Sequence, residues 1–433
     1  MVLILADDLD NSVFERSTLH SAWVPKGTSF TNALDTTPLC CPSRASILRG
    51  QYAHNTGLWR DNNAQPNGGA AYFRSHGLDE RTVATILQAN GYQTWFGGKY
   101  LNGYAPAGGS QGYVPPGWDS WQANLGEKAA NVDGRATRFF PQHYTDWLSE
   151  RAATFIEDQR GGSAQPFYME IATYDTHAPL DIPPRHSKAY LGQRAPRPPS
   201  FDEADVSDKP IYVREKRPVS ERKAAEYDRE QVERMQSALT LEDLCTNVIK
   251  ALERTNQLGN TYLIFTSDNG YHMGLHRLVE AKGTPYLESV EVPFVVRGPG
   301  VPEDASFEQL VANIDIAPTA LDLAGVKVPS WMDGRSLRPF FDGGNSAPDS
   351  WRTTVLIENM DGAGERPRPA YAGVRYQEEV YVEYANGEKE YYDLKMDPYQ
   401  LENRPEDAPQ ATKDMLGALK DCAGDSCRKA DRP

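Results

Sequence analysis

Two short apolar runs, residues 1–6 and 261–266, each break off into side-chain oxygens: Asp7-Asp8 after the first and Asp268-Asn269 after the second. An apolar run with no polar alternation belongs to a strand buried on both faces, the condition of a parallel sheet covered by helices. Residues 92–96, 167–173 and 292–296 read as further strands. Residues 81–90, 144–159, 224–255 and 313–324 read as helices, with Trp147, Leu148, Ala152 and Phe155 on one face of the second. Strand and helix alternating in this way predict a layered α/β fold. Ligands of such folds gather at the carboxyl ends of the strands, where both oxygen-bearing pairs stand.

The texture changes after about residue 345. Residues 353–357, 370–376, 379–384 and 389–392 read as short strands joined by turns such as Asn386-Gly387, with a helix near 408–421. The expected fold class is therefore α/β: a large mixed, mostly parallel sheet sandwiched by helices, with a smaller C-terminal antiparallel sheet plus helix. The expected division is 1–345 for the α/β domain and 346–433 for the α+β subdomain packed on it. Residues 181–220, rich in Pro and charge, read as a long ordered loop over the active face.

A third feature is Pro38-Leu39-Cys40-Cys41-Pro42-Ser43-Arg44, running on to Gly50. Pro42 suits a helix start and Gly50 a left-handed helix stop. Cys40 then lies just ahead of a helix N-terminus, where free N–H groups favour an anion. Four hard oxygen side chains at Asp7, Asp8, Asp268 and Asn269 suit Ca²⁺, with Mg²⁺ second, rather than zinc. The net charge of −15 disfavours nucleic acid and long sulfated polymers. No apolar run approaches the roughly 20 residues of a membrane span.

The Cys-x-Pro-Ser-Arg motif followed by Leu-x-Gly resembles the signature of the sulfatase family, within the alkaline-phosphatase-like superfamily. Its wording is most similar to the glucosamine-6-sulfatase and arylsulfatase branch. The resemblance continues through Asp7-Asp8, Ser267-Asp268-Asn269-Gly270 and the Tyr392-Asp393-Leu394-Lys395-Met396-Asp397-Pro398 stretch, nearly the whole chain. It implies a sulfuric ester hydrolase in which a formylglycine-generating enzyme converts Cys40 to formylglycine, whose hydrate is the nucleophile. It also implies a divalent ion, usually calcium, held by Asp7, Asp8, Asp268 and Asn269 with residue 40. Arg44 matches the arginine that holds the modified residue in place, and Lys99 and Lys282 match the lysines that contact sulfate. His177, in Thr173-Tyr174-Asp175-Thr176-His177, matches the substrate-side histidine and is expected to protonate the leaving alcohol.

One departure stands out. Many sulfatases carry a histidine two residues after the first lysine; here Leu101 fills that place, and Asn102 beside it is expected to contact substrate by hydrogen bonding. His54 is open to either a catalytic or a packing role, whereas His272 and His276 are expected to be structural. The implied substrate is a small or terminal sulfate ester, with a 6-O-sulfated amino sugar favoured by the branch and an aryl sulfate also open. Two alternatives stand beside this reading: a phosphomonoester or phosphodiester hydrolase of the same superfamily, and a non-catalytic protein that binds sulfated sugars. Cys422 and Cys427 flank a short loop and are expected to form a disulfide, pointing to an extracellular or periplasmic site with an export leader missing ahead of Met1. Taken as it stands, the start predicts a cytoplasmic chain.

Overall fold

The computed structural model describes residues 1–104, 112–126, 128–139, 141–159, 165–279, 282–342, 346–348, 350–360 and 367–432. Val2–Ala6 lies at the centre of a ten-stranded sheet. On one side it pairs in parallel with Phe167–Ala172, which leads to Gln93–Gly98 and Ser120–Gly126 and then to the antiparallel strands Ala129–Val132 and Arg135–Arg138. On the other side it pairs in parallel with Leu263–Ser267, followed by the antiparallel Phe294–Arg297, then Thr28–Phe30 and Ala305–Phe307. The sheet is mixed with a parallel heart, as the apolar runs predict.

The central strand is apolar at every position because both of its faces are covered. Val2, Ile4 and Ala6 face one core, shared with the helices Tyr144–Asp158 and Glu221–Arg254. Leu3 and Leu5 face the other, shared with Cys40–Arg49, Val83–Ala89 and Ile316–Leu323. The first of these helices begins at Cys40 itself, with Leu39 as its cap, so Pro42 is its third residue rather than its first. Gly50 ends it with φ +62°, the left-handed stop that glycine adopts without strain.

A second sheet of four antiparallel strands, Thr354–Asn359, Tyr371–Tyr376, Glu379–Tyr384 and Lys389–Asp393, carries the helix Gln410–Lys420. The expected domain boundary at residue 345 lies outside the described residues. Cys422 and Cys427 are joined in a disulfide. Residues 181–210 form neither strand nor regular helix, and lead into the short helix Ile211–Arg214. This segment packs on the loop that follows Leu263–Ser267, through a Phe201–Leu275 bridge and the Glu203–His276 pair. No described helix is long and apolar enough to cross a membrane.

His54, on the short helix Ala53–Thr56, fastens that helix to the C-terminal sheet. Its Nδ1 lies 2.9 Å from Glu358 Oε1 on the C-terminal sheet, and its Nε2 is 2.9 Å from the Cys422 carbonyl. Of the two roles open to it, the packing one is what these contacts serve. Burial works against the charged imidazole, but the Glu358 hydrogen bond and charge outweigh it and raise the pKa to about 9. The raised value means that this contribution is complete below the unfolded pKa of 6.5 and is lost as pH rises through about 9. Urea unfolding is expected to show wild type losing its advantage over His54→Gln, about 2–3 kcal/mol, between pH 6 and 10. An advantage that stays constant over that range would rule out the charged pair.

Candidate active site

Strand register builds the site. Leu5 pairs with Thr266 and Ala6 with Ser267, so the next residues out of the sheet, Asp7 and Asp268, leave it side by side. Backbone bonds stitch these strand ends to their neighbour: Asp7 N–H donates to Asp175 O and Thr176 N–H to Asp7 O. Asp8 then turns with φ +61°, a conformation an aspartate tolerates better than most residues. Its N–H donates to Asp268 Oδ1 at 3.1 Å, and Asn269 Nδ2 donates to Asp8 Oδ1 at 2.6 Å. Arg234 supports the same turn by donating to the Asp8 carbonyl.

Cys40 enters from the helix that stands over these strand ends. Its Sγ lies 3.6 Å from Asp7 Oδ1 and 2.8 Å from Lys282 Nζ. The next residue is fixed by its N–H donating to Asp61 at 2.8 Å. Lys282 also donates to Asp8 Oδ1, while Lys99 donates to Asp7 Oδ2. Arg44, one helical turn beyond Cys40, donates through Nε to Asp268 Oδ2 and through Nη1 to the Lys99 carbonyl. His177 Nε2 lies 3.8 Å from Asp8 Oδ2. The ligating atoms of Asp7, Asp8, Cys40 and His177 all lie within 4.8 Å of one another.

The electrostatics follow from burial and neighbours. Burial opposes ionisation of Asp7, yet Lys99 and Arg44 outweigh it and hold the carboxyl far below its usual range. Asp268 is pushed up by burial and by the Asp7 charge. Burial likewise raises the Cys40 thiol well above its ordinary value, against the pull of Lys282 and Lys99. Both lysines remain charged: burial disfavours the ammonium, but Asp7 beside Lys99 and Asp8 beside Lys282 raise them. A thiol so disfavoured as thiolate is a poor nucleophile in its own right.

The donor set fits a hard divalent cation. Asp7, Asp8, Asp268 and Asn269 are 0–3% exposed, and Asn269 Oδ1 is buried with no hydrogen-bond partner. An orphaned amide oxygen beside three carboxylates is what a calcium-type ligand shell requires.

Cys40, Arg44, Lys99, His177, Lys282 and the four oxygen donors named from the sequence converge here. Asn102 stands two residues beyond Leu101's predecessor Tyr100, and its main-chain oxygen accepts from Ala70 N–H while its buried Oδ1 makes no hydrogen bond. His276 is structural: its Nδ1 meets Glu203 Oε2 at 2.6 Å and its ring stacks on Tyr286. His272 Nε2 is 3.3 Å from Thr284 Oγ1, within the loop that carries Lys282. Sequence reasoning passed over Asp175, whose carboxylate accepts from Thr145 and Ser237 hydroxyls at 2.8 Å each and so steadies the loop leading to His177. It also passed over Arg234, which sits in no recognisable motif, whereas Asp175 stands within the Thr173–His177 stretch itself.

Comparison with known proteins agrees with this geometry. The family model described as Sulfatase matches residues 1–326, and one described as N-sulphoglucosamine sulphohydrolase, C-terminal, matches residues 274–422. The chain is 32% identical to the N-acetylglucosamine-6-sulfatase of Capra hircus, over 99% of this chain and 84% of that protein. It is 30% identical to an arylsulfatase of Volvox carteri, over 98% of this chain and 75% of that protein. A solved structure described as a complex with its substrate D-glucosamine-2-N,6-O-disulfate superposes with a TM-score of 0.83 at 22% identity, covering 100% of this chain and 98% of the other. With the model match spanning most of the chain and the fold shared end to end, this chain belongs to the sulfatase family and is a sulfuric ester hydrolase.

Proposed function

We propose that the enzyme cleaves the 6-O-sulfate of a terminal amino sugar, using formylglycine formed from Cys40 and a calcium ion held by Asp7, Asp8, Asp268 and Asn269. The observation that carries the reading is the pairing of a buried, unreactive thiol at Cys40 with Lys282 and Asp7 at ligand distance. In the mature enzyme the Cys40 Sγ position stands for the oxygens of the formylglycine hydrate. The hydrate supplies a hydroxyl nucleophile and a second hydroxyl through which sulfate can later be released, which a serine lacks. An ion held by Asp7, Asp8, Asp268 and Asn269 would supply Lewis-acid stabilisation of negative charge on oxygen.

The remaining tasks fall to this chain's own side chains. Beside a divalent ion, Lys99 and Lys282 would offset the three carboxylates and the incoming sulfate, and they hold its oxygens as charge shifts in the transition state. Arg44 keeps Asp268 and Asp7 in place by hydrogen bond and charge. His177, a third exposed where Lys99 and Lys282 are 6% and 14% exposed, faces the side from which substrate arrives and protonates the departing alcohol. The Cys422–Cys427 disulfide supports an extracellular or periplasmic location. The sugar preference rests on likeness to the N-acetylglucosamine-6-sulfatases.

Peptide mass spectrometry across Cys40, on enzyme co-expressed with a formylglycine-generating enzyme, tests the central step. The expected result is loss of the thiol in favour of the aldehyde, together with sulfate release from N-acetylglucosamine 6-sulfate. An active preparation whose residue 40 is wholly unmodified cysteine would overturn the proposal.

A further inference from the structure

Beside His177 a cavity of about 410 Å³ opens off the catalytic cluster, and none of the roles assigned so far uses it. Its walls come from four separate parts of the chain, one of them Ser237 on the helix Glu221–Arg254. Asn124 and Lys128 belong to the hairpin formed by Ser120–Gly126 and Ala129–Val132, Tyr144 opens the helix Tyr144–Asp158, and Tyr174 and His177 lie on the loop after Phe167–Ala172. The cavity is continuous with the reaction centre, because His177 reaches Asp8 and the Lys99 ammonium lies 5.5 Å from the Tyr174 ring centre.

Two features point to a ligand with both apolar and hydroxyl faces. Tyr174 is 37% exposed, unusual for a large aromatic side chain, although its ring packs edge-on against Tyr144 at 6.0 Å. It is thus held on one side and open on the other. The Tyr144 hydroxyl is buried next to Asn124, yet makes no hydrogen bond of normal geometry. A buried hydroxyl without a proper partner is unfavourable, and a ligand that supplies one relieves the cost. Asp175 and His143 are already committed: Asp175 accepts from Thr145 and Ser237, and His143 Nε2 donates to the Asp181 carbonyl. Asn124 Oδ1 accepts from Gly126 N–H, so Asn124 meets a ligand through its Nδ2.

We propose that this cavity takes the sugar ring bearing the sulfate, with Tyr174 as the stacking platform and Tyr144 and Asn124 as hydrogen-bonding partners for ring hydroxyls. A pyranose presents a C–H face that covers an aromatic ring and an equatorial belt of hydroxyls, which is the complement of these walls. The volume lies in the range of single small-ligand pockets, roughly 300–1,000 Å³, and so accepts a terminal residue rather than a run of chain. The inference rests on the sugar-sulfatase reading above and assigns its specificity to named residues.

The test compares Tyr174→Ala, Tyr174→Phe and Tyr144→Phe with wild type on N-acetylglucosamine 6-sulfate and on 4-nitrophenyl sulfate. Tyr174→Ala and Tyr144→Phe are each expected to raise KM for the sugar on the order of tenfold with kcat changed far less, the pattern of lost substrate binding. The sugar-to-aryl ratio of kcat/KM is expected to fall for Tyr144→Phe, since an aryl sulfate offers no ring hydroxyl, and Tyr174→Phe is expected to keep the wild-type sugar KM. A wild type active on the sugar, with Tyr174→Ala and Tyr144→Phe indistinguishable from it, would overturn the subsite alone. A wild type that releases sulfate from the aryl ester but not from the sugar would overturn the substrate reading, and the subsite with it.

Discussion

Cys40→Ala is expected to lower sulfate release on the order of 10⁴–10⁶-fold, the scale on which removing a covalent nucleophile acts. The thiol is 1% exposed at the first turn of its helix, so alanine removes one buried sulfur and costs roughly 1 kcal/mol or a little more of stability. The helix, the donors Asp7, Asp8, Asp268 and Asn269 and both lysines are retained in this variant. Turnover and thermal melting measured on the same preparation separate the two effects. A Cys40→Ala protein within about tenfold of wild-type turnover would mean that residue 40 is not the source of the nucleophile.

The second large effect is expected at Lys282, where Lys282→Ala should cost about 10²–10³ in kcat with the fold intact. Its ammonium bridges Asp8 and Cys40, at the point where negative charge gathers as sulfate is transferred. The contrast with Arg44→Ala makes the argument specific. Arg44 neutralises two fully buried carboxylates, Asp268 and Asp7, and its loss leaves buried charge unpaired at a cost of about 3–5 kcal/mol. Lys282→Ala leaves Asp8 with the Asn269 amide as donor, so it should lose less stability than Arg44→Ala and fail chiefly in turnover, while Arg44→Ala should fail in both. Near-normal turnover of folded Lys282→Ala would remove that residue from the site.

The helix after residue 40 teaches the limits of local signals. Proline at position 42 points to a start there, but the chain turns helical two residues earlier, at Cys40. The free N–H groups of the first turn therefore belong to Cys40 itself and its neighbours, one of them capped by Asp61 from outside the helix. His54 shows the same limit. Five residues past the end of that helix, it is close in sequence to Cys40, yet Glu358, more than 300 residues away, claims its ring.

The apolar runs, the oxygen pairs that end them and the types of charged residue near Cys40 were determined by sequence, because burial on both faces of a central strand and hard-cation chemistry each leave a local mark. So was the disulfide, through five-residue spacing. Which oxygens meet was decided by tertiary structure: the parallel register of Val2–Ala6 with Leu263–Ser267 sets Asp7 beside Asp268 across 261 positions. The division of labour among the cations was settled there too, with Lys99 on Asp7, Lys282 on Asp8 and Arg44 on Asp268. The cavity by His177 has no single sequence signature. Its walls come from a hairpin, a helix start, a strand-end loop and the long helix Glu221–Arg254, and only packing brings Asn124, Tyr144 and Tyr174 to one place.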